Sequence, residues 1–234
     1  MKRKYFITGT DTDAGKTFIT VALLRAFAEQ GYSTLGLKPI AAGSEIINGE
    51  KKNDDAVMLA QASSVQVAYQ QTNPILLDAA MAPHIAAERE NRTISASKVT
   101  GFVRGTLMTA PAQVTLIEGA GGWRVPLNAR ETFADVAKQL NIEVILVVGM
   151  KLGCLNHALL TTEAIKRDGL TIAGWVANAV DPAMEGLDEN IKSLVNRIGA
   201  PLIGVMPHLT NPNDKPNQWI ASSFLTNSTS PSAS

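Results

Sequence analysis

Gly9-Thr10-Asp11-Thr12-Asp13-Ala14-Gly15-Lys16-Thr17 follows the apolar run Tyr5-Phe6-Ile7-Thr8 and opens a segment of helical period. A glycine-rich turn between a strand and a helix is where a phosphate loop belongs. Backbone N–H groups at a helix N-terminus, with the positive end of the helix dipole behind them, bind phosphate oxygens. Glycines let the main chain come close to such a ligand. Lys16 reaches terminal phosphates as a point charge, and Thr17 offers a hydroxyl to Mg²⁺. The usual pattern has four residues between its two glycines. Here five separate Gly9 from Gly15, with Thr10 in the place of the first glycine. The bland alternative is a turn with a chance Gly-Lys-Thr, and the strand–loop–helix context argues against it.

Working outward, Lys16 to Gln30 carries apolar residues at helical spacing and is followed by Gly31, which accepts a left-handed cap. Five more apolar runs read as strands: Thr34 to Lys38, Val114 to Ile117, Val144 to Val148, Ile172 to Ala177 and Leu202 to Val205. Their lack of polar alternation is the mark of strands buried on both faces. Helical segments fill the gaps at 55–62, 95–108, 132–140, 156–167 and 187–198. The alternation predicts an α/β fold: a doubly wound, mainly parallel sheet with helices on both faces and right-handed crossovers. Residues 1–226 are expected to form one domain, and the Ser/Thr-rich residues 227–234 a disordered tail. Ala41 to Asn53 reads as a mobile loop, and Ala79 to Asn91 as a loop with a short helix.

Composition excludes several classes. The 234 residues hold 21 Lys plus Arg against 21 Asp plus Glu, without the basic excess of a nucleic-acid or anionic-membrane protein. The one cysteine, Cys154, permits no intrachain disulfide and reads as a small buried residue. His84, His157 and His208 do not stand at zinc-binding spacing. The longest apolar run, Val144 to Met150, is far too short for a membrane span, and the N-terminus does not read as a signal peptide. A cytoplasmic location is expected.

The loop Gly9–Thr17 also resembles the way the dethiobiotin synthetase family writes its phosphate loop. Other stretches resemble the same family: Leu37-Lys38-Pro39-Ile40-Ala41, Asn53-Asp54-Asp55-Ala56, Ala82-Pro83-His84-Ile85-Ala86-Ala87 and Glu118-Gly119-Ala120-Gly121-Gly122-Trp123. Gly153 to Ala158 and Gly174 to Asn178 continue the likeness, which spans about residues 4 to 210. The resemblance implies an ATP-dependent cyclo-ligase of biotin biosynthesis. Its substrates are 7,8-diaminononanoate (7,8-diaminopelargonate), CO₂ or bicarbonate, and MgATP. One amine takes up CO₂ as a carbamate, which attacks the γ-phosphate. The second amine then closes the ring and expels phosphate, leaving dethiobiotin and ADP. The resemblance also implies a homodimer with substrate sites near the interface.

Residue by residue, the resemblance implies that Asp13, Ala14, Gly15, Lys16, Thr17 and Phe18 hold the nucleotide phosphates, together with Asp55, Glu118, Gly119, Ala120 and Gly121. Asn178, Pro207, His208 and Leu209 flank the adenine. Thr12, Lys38, Ala42, Gly122 and Asn156 face the diamine substrate, and Lys38 and Lys16 act on the chemistry. Charge logic agrees, because an anionic carbamate meeting a triphosphate needs cations at the point of transfer. Thr17, Asp55 and Glu118 supply the oxygen ligands that Mg²⁺ prefers. Plainer readings stand beside these: Lys38 as a solvated strand-end lysine, Asp54 as a helix cap, Asn178 as a strand terminus. Many family members carry Ser where this chain has Ala42, so either Ser44 or a backbone group is expected to take over that contact, or substrate binding is expected to be weaker. Two other activities compete, an amide-forming P-loop synthetase and a nucleotide-dependent switch ATPase.

Overall fold

A computed structural model describes residues 2–209 and 215–226. Six strands form the central sheet in the order β10-β9-β8-β1-β7-β2. They are β1 (Arg3–Gly9), β2 (Thr34–Leu37), β7 (Val114–Gly122), β8 (Glu143–Gly149), β9 (Ile172–Asn178) and β10 (Leu202–Met206), and every pairing is parallel. Period-two alternation divides the core. Tyr5 and Ile7 of β1 face α1 (Lys16–Glu29), whereas Phe6 packs on the other face against Trp123 and Phe133. The second face is covered by α5 (Ala96–Thr109), α6 (Phe133–Leu140), α7 (Cys154–Arg167) and α8 (Leu187–Ile198). The expected doubly wound arrangement is therefore present. Among the described residues no helix is long and apolar enough to cross a membrane.

From β1 the chain passes through α1 to β2, leaving a gap that β7 later fills; β8 to β10 then extend the sheet on the opposite side. A crevice at such a reversal, outside the carboxyl ends of the strands, is the ligand position of this architecture.

Several local expectations need correction. The expected loop 41–53 carries strands. β3 (Ile40–Ala42) pairs in parallel with β6 (Ile75–Leu77), and β4 (Glu45–Ile47) pairs with β5 (Glu50–Lys52) as an antiparallel hairpin. Strands of three residues show no readable period, but the turn does carry a signal. Asn48 (φ 53°) and Gly49 (φ 81°) supply the two left-handed positions of a two-residue hairpin turn. In α2 (Asp54–Ala62) the cap is Asn53 rather than Asp54, since its side chain accepts from the Ala56 N–H at 3.3 Å. α4 (Pro83–Arg89) is the short helix expected within 79–91, and it begins at its proline. α3 (Tyr69–Thr72), a 3₁₀ turn at Pro216–Trp219 and α9 (Ser222–Thr226) were not legible. The expected tail, 227–234, lies outside the described residues.

β7 differs in a way that matters for the site. It does not end near Ile117 but continues through Gly122, so Glu118 lies within the strand and not at its end. Ile7 of β1 is opposite Glu118, and Gly9 is opposite Gly122. β7 thus spends four residues where β1 spends two, and Gly119–Gly121 swell out of the ladder as a bulge. A Cβ on Gly119 would sit 3.2 Å from the Phe6 ring, a tight approach that favours glycine there.

Candidate active site

The loop leaving β1 winds back so that Gly15, at φ 83°, precedes α1. A side chain on Gly15 would collide with the amide of Asn178. That amide donates to the Ala14 carbonyl at 2.9 Å, so the end of β9 pins the loop from behind. Lys16 is buried and folds back, its Nζ donating to the carbonyls of Asp11 (3.0 Å) and Thr12 (3.1 Å). Burial, and then repulsion from Lys38, lower its pKa from 10.5 to about 8. A triphosphate at this position restores the favourable setting that the charge lacks.

Beside the loop, residues from four chain segments meet. Asn73 Nδ2 holds the Lys38 carbonyl at 2.7 Å, and the Lys38 N–H donates to the Thr72 carbonyl. From that anchored backbone the Lys38 Nζ donates to Glu118 Oε1 (2.6 Å) and Asp55 Oδ2 (3.1 Å). Thr17 Oγ1 donates to the same Glu118 Oε1 at 2.7 Å. Lys38 is only 5% exposed, which removes the reading of a solvated strand-end lysine. Burial opposes its charge, but the Glu118 and Asp55 carboxylates outweigh it and hold the ammonium pKa above its ordinary value.

Glu118 Oε2 is buried without a hydrogen-bond partner. A buried carboxylate oxygen left unpaired is costly unless a cation or donor completes it. The Thr17 hydroxyl and the Asp55 and Glu118 carboxylates form the hard-oxygen set suited to Mg²⁺. Among the described residues no cluster of three or more His, Cys, Asp or Glu is assembled. One hydroxyl and two carboxylates make a half-shell, of the kind that Mg²⁺ completes with nucleotide phosphates and water.

These groups line a cleft of about 830 Å³. Of the residues expected from the sequence, Thr12, Asp13, Gly15, Lys16, Thr17, Phe18, Lys38, Ala42, Asp55, Ala120 and Gly121 face it. Ala14 and Glu118 are fully buried directly behind. Gly122 faces a smaller hollow of about 440 Å³ across the loop, between Trp123 and Leu160 of α7. Asn178 and His208 sit at the ends of β9 and β10, where the His208 ring lies 3.2 Å from the Ala179 carbonyl. Neither they nor Pro207 and Leu209 reach the cleft. Asn156 is exposed on the first turn of α7, away from the cleft of its own chain.

Sequence reasoning missed the apolar half of the cleft, formed by Ala41, Met58, Met81, Pro83, Val125 and Pro126. Their only signal is apolar side chains in segments flanking the motifs. It also missed the Asp11–Lys151 ion pair that ties the phosphate loop to the end of β8. Ser44 is not among the residues lining the cleft, and its hydroxyl donates to Asp78 Oδ1 at 2.9 Å.

A phosphate loop at a sheet switch point, cations on both sides of it and a carboxylate–hydroxyl half-shell together define a P-loop nucleotide-dependent enzyme. Residues 3–215 match the AAA domain family. More narrowly, the chain belongs to the ATP-dependent dethiobiotin synthetase family. It is 55% identical over 209 residues to ATP-dependent dethiobiotin synthetase BioD of Cellvibrio japonicus, covering 89% of this chain and 91% of that protein. It is 50% identical to the same enzyme of Aromatoleum aromaticum, over 88% and 91% respectively. Among solved structures it resembles the septum site-determining protein MinD of Pyrococcus horikoshii, complexed with Mg-ADP. That match has a TM-score of 0.58 at 18% identity, over 97% of this chain and 89% of the other. A ParA family ATPase from Chlorobium tepidum gives a TM-score of 0.60 at 13% identity, over 97% and 100%. At such identity these structures speak for the fold alone.

Proposed function

We propose that this chain is an ATP-dependent dethiobiotin synthetase, closing a cyclic urea on 7,8-diaminononanoate with CO₂ and MgATP. One observation carries the reading: two buried lysines flank a cleft that is polar at the phosphate loop and apolar beyond it. The polar half suits the triphosphate and the carbamate, and the apolar half suits the alkyl chain of the diamine. The carbamate oxygen attacks the γ-phosphate in line, forming a mixed anhydride and releasing ADP. The second amine then attacks the carbonyl carbon, and the C–O bond to phosphate breaks.

Lys16 neutralises the transferring phosphoryl group, and Lys38 stabilises charge on the carbamate and on the carbonyl oxygen. The apolar wall keeps water from the anhydride, which hydrolysis would waste. Thr17, Asp55 and Glu118 would hold a Mg²⁺ ion, which would offset negative charge on the phosphates. Phosphate release with ATP alone should be slow, and should rise steeply only when diamine and bicarbonate are both added, with dethiobiotin formed in equal amount. Rapid phosphate release without the diamine overturns the ligase reading in favour of a switch ATPase.

The active form is proposed to be a homodimer. Asn156 stands on the first turn of α7, Leu152 just ahead of that helix is 96% exposed, and the helix itself carries the exposed Leu160. A second copy covering this face gives Asn156 a route to the substrate carboxylate of the neighbouring site. Sedimentation velocity at assay concentration should show a dimer. A fully active monomer removes the shared site.

A further inference from the structure

The four-residue cluster at the base of the cleft has an unusual charge arrangement. The oxygens suited to a divalent ion already hold a cation. The Lys38 ammonium donates to one oxygen of Glu118 at 2.6 Å and to Asp55 at 3.1 Å, and the Gly119 carbonyl lies 3.4 Å away. Glu118 is fully buried, and its second oxygen has no partner. Thr17 spends its hydroxyl proton on the oxygen that Lys38 already occupies. A fully buried carboxylate is costly to keep ionised without a cation or donor beside it. A catalytic lysine, by contrast, must be free to turn toward its substrate.

We propose that the Lys38 ammonium is the resident cation of the Mg²⁺ site. It neutralises Glu118 and Asp55 while the enzyme is empty, and it yields those carboxylates when a divalent ion enters with the nucleotide. The exchange frees Lys38 for the reacting groups only after the phosphates are in place. It also makes the empty enzyme a poor metal binder, because an incoming ion must displace an ammonium held at hydrogen-bond distance by both carboxylates. The inference rests on the proposed function only for the direction in which Lys38 is released. The competition itself is a property of this cluster.

The test is Mn²⁺ binding to nucleotide-free protein, followed by electron paramagnetic resonance. Lys38→Met should bind Mn²⁺ at least about tenfold more tightly than wild type, because a close-range positive charge has been removed from the site. Lys38→Arg, which keeps the charge, should remain as weak as wild type. The double variant Lys38→Met with Glu118→Gln should lose the gain, which places it at these carboxylates. If Lys38→Met does not melt cooperatively on its own, added Mg²⁺ should restore its transition while leaving that of nucleotide-free wild type unmoved. Equal Mn²⁺ affinity in wild type and Lys38→Met overturns the proposal, as does tight binding by Lys38→Arg or a gain that survives Glu118→Gln. The reaction assignment is read separately, by dethiobiotin formation in the wild-type enzyme. A failure there leaves the cation exchange standing, and equal Mn²⁺ affinities leave the reaction standing.

Discussion

Lys38→Met is expected to lower kcat by about 10²–10³, the typical cost of one well-placed electrostatic donor in a water-poor site. The KM for ATP should change by only a few-fold, because Lys16 and the loop backbone hold the triphosphate. An exposed lysine predicts a change within about a factor of two, and burial of Lys38 has already removed that reading. From sequence alone the variant is expected to fold normally, and the structure alters this. Removing the ammonium leaves the fully buried Glu118 without its cation. Breaking a buried pair in this way costs on the order of 3–5 kcal/mol. The nucleotide-free variant should therefore melt well below wild type, and MgATP should return much of the loss. Steady-state kinetics with saturating diamine, bicarbonate and MgATP, beside melts with and without MgATP, reads both effects. A kcat within a few-fold of wild type takes Lys38 out of the chemistry.

The parts of the site written contiguously were the legible ones. Gly15, Lys16 and Thr17 follow from one strand–loop–helix passage, because backbone N–H groups at a helix start need no partner from elsewhere in the chain. Asp55 and Glu118 are also ligand-type residues, but their meeting on Thr17 and Lys38 depends on the order of strands β1, β7 and β2, which local sequence does not encode. The glycines of 119–122 are visible in the sequence, but the bulge they form is not, since a bulge is a mismatch of register between two strands and has no period of its own. At Asn48-Gly49 the chemistry of the turn was visible, but the flanking strands, three residues each, were too short to draw attention to it. The Asp11–Lys151 pair joins residues remote in sequence, with nothing local to mark either partner.

Lys16→Met separates function from stability, with effects of opposite sign. Lys16 meets the phosphates in the ground state as well as at transfer, so the variant should lose at least about 10²-fold in kcat/KM for ATP, through both KM and kcat. Lys38→Met differs in leaving KM nearly intact. Without nucleotide, however, the Lys16 charge is a burden. Burial and Lys38 lower its folded-state pKa to about 8 from the 10.5 of an unfolded lysine. Below about pH 8 both states carry the proton, and the folded state bears the full penalty, roughly 3 kcal/mol at 1.4 kcal/mol per tenfold change. As pH rises from about 8 to 10.5 the folded protein releases the proton first, and stability from this group increases. The pKa of Lys38 is held above 10.5, so it stays charged through that window. Methionine removes the charge and also the bonds to the Asp11 and Thr12 carbonyls, a loss that offsets part of the gain. Nucleotide-free Lys16→Met should thus be more stable than wild type by roughly 1–3 kcal/mol at neutral pH, with the gap narrowing as pH approaches 10. Urea unfolding of both proteins across that range checks the sign directly. A variant less stable than wild type at neutral pH, or a gap that does not change with pH, means that the Lys16 ammonium is not strained in the empty loop and that its selection for phosphate carries no cost in the fold.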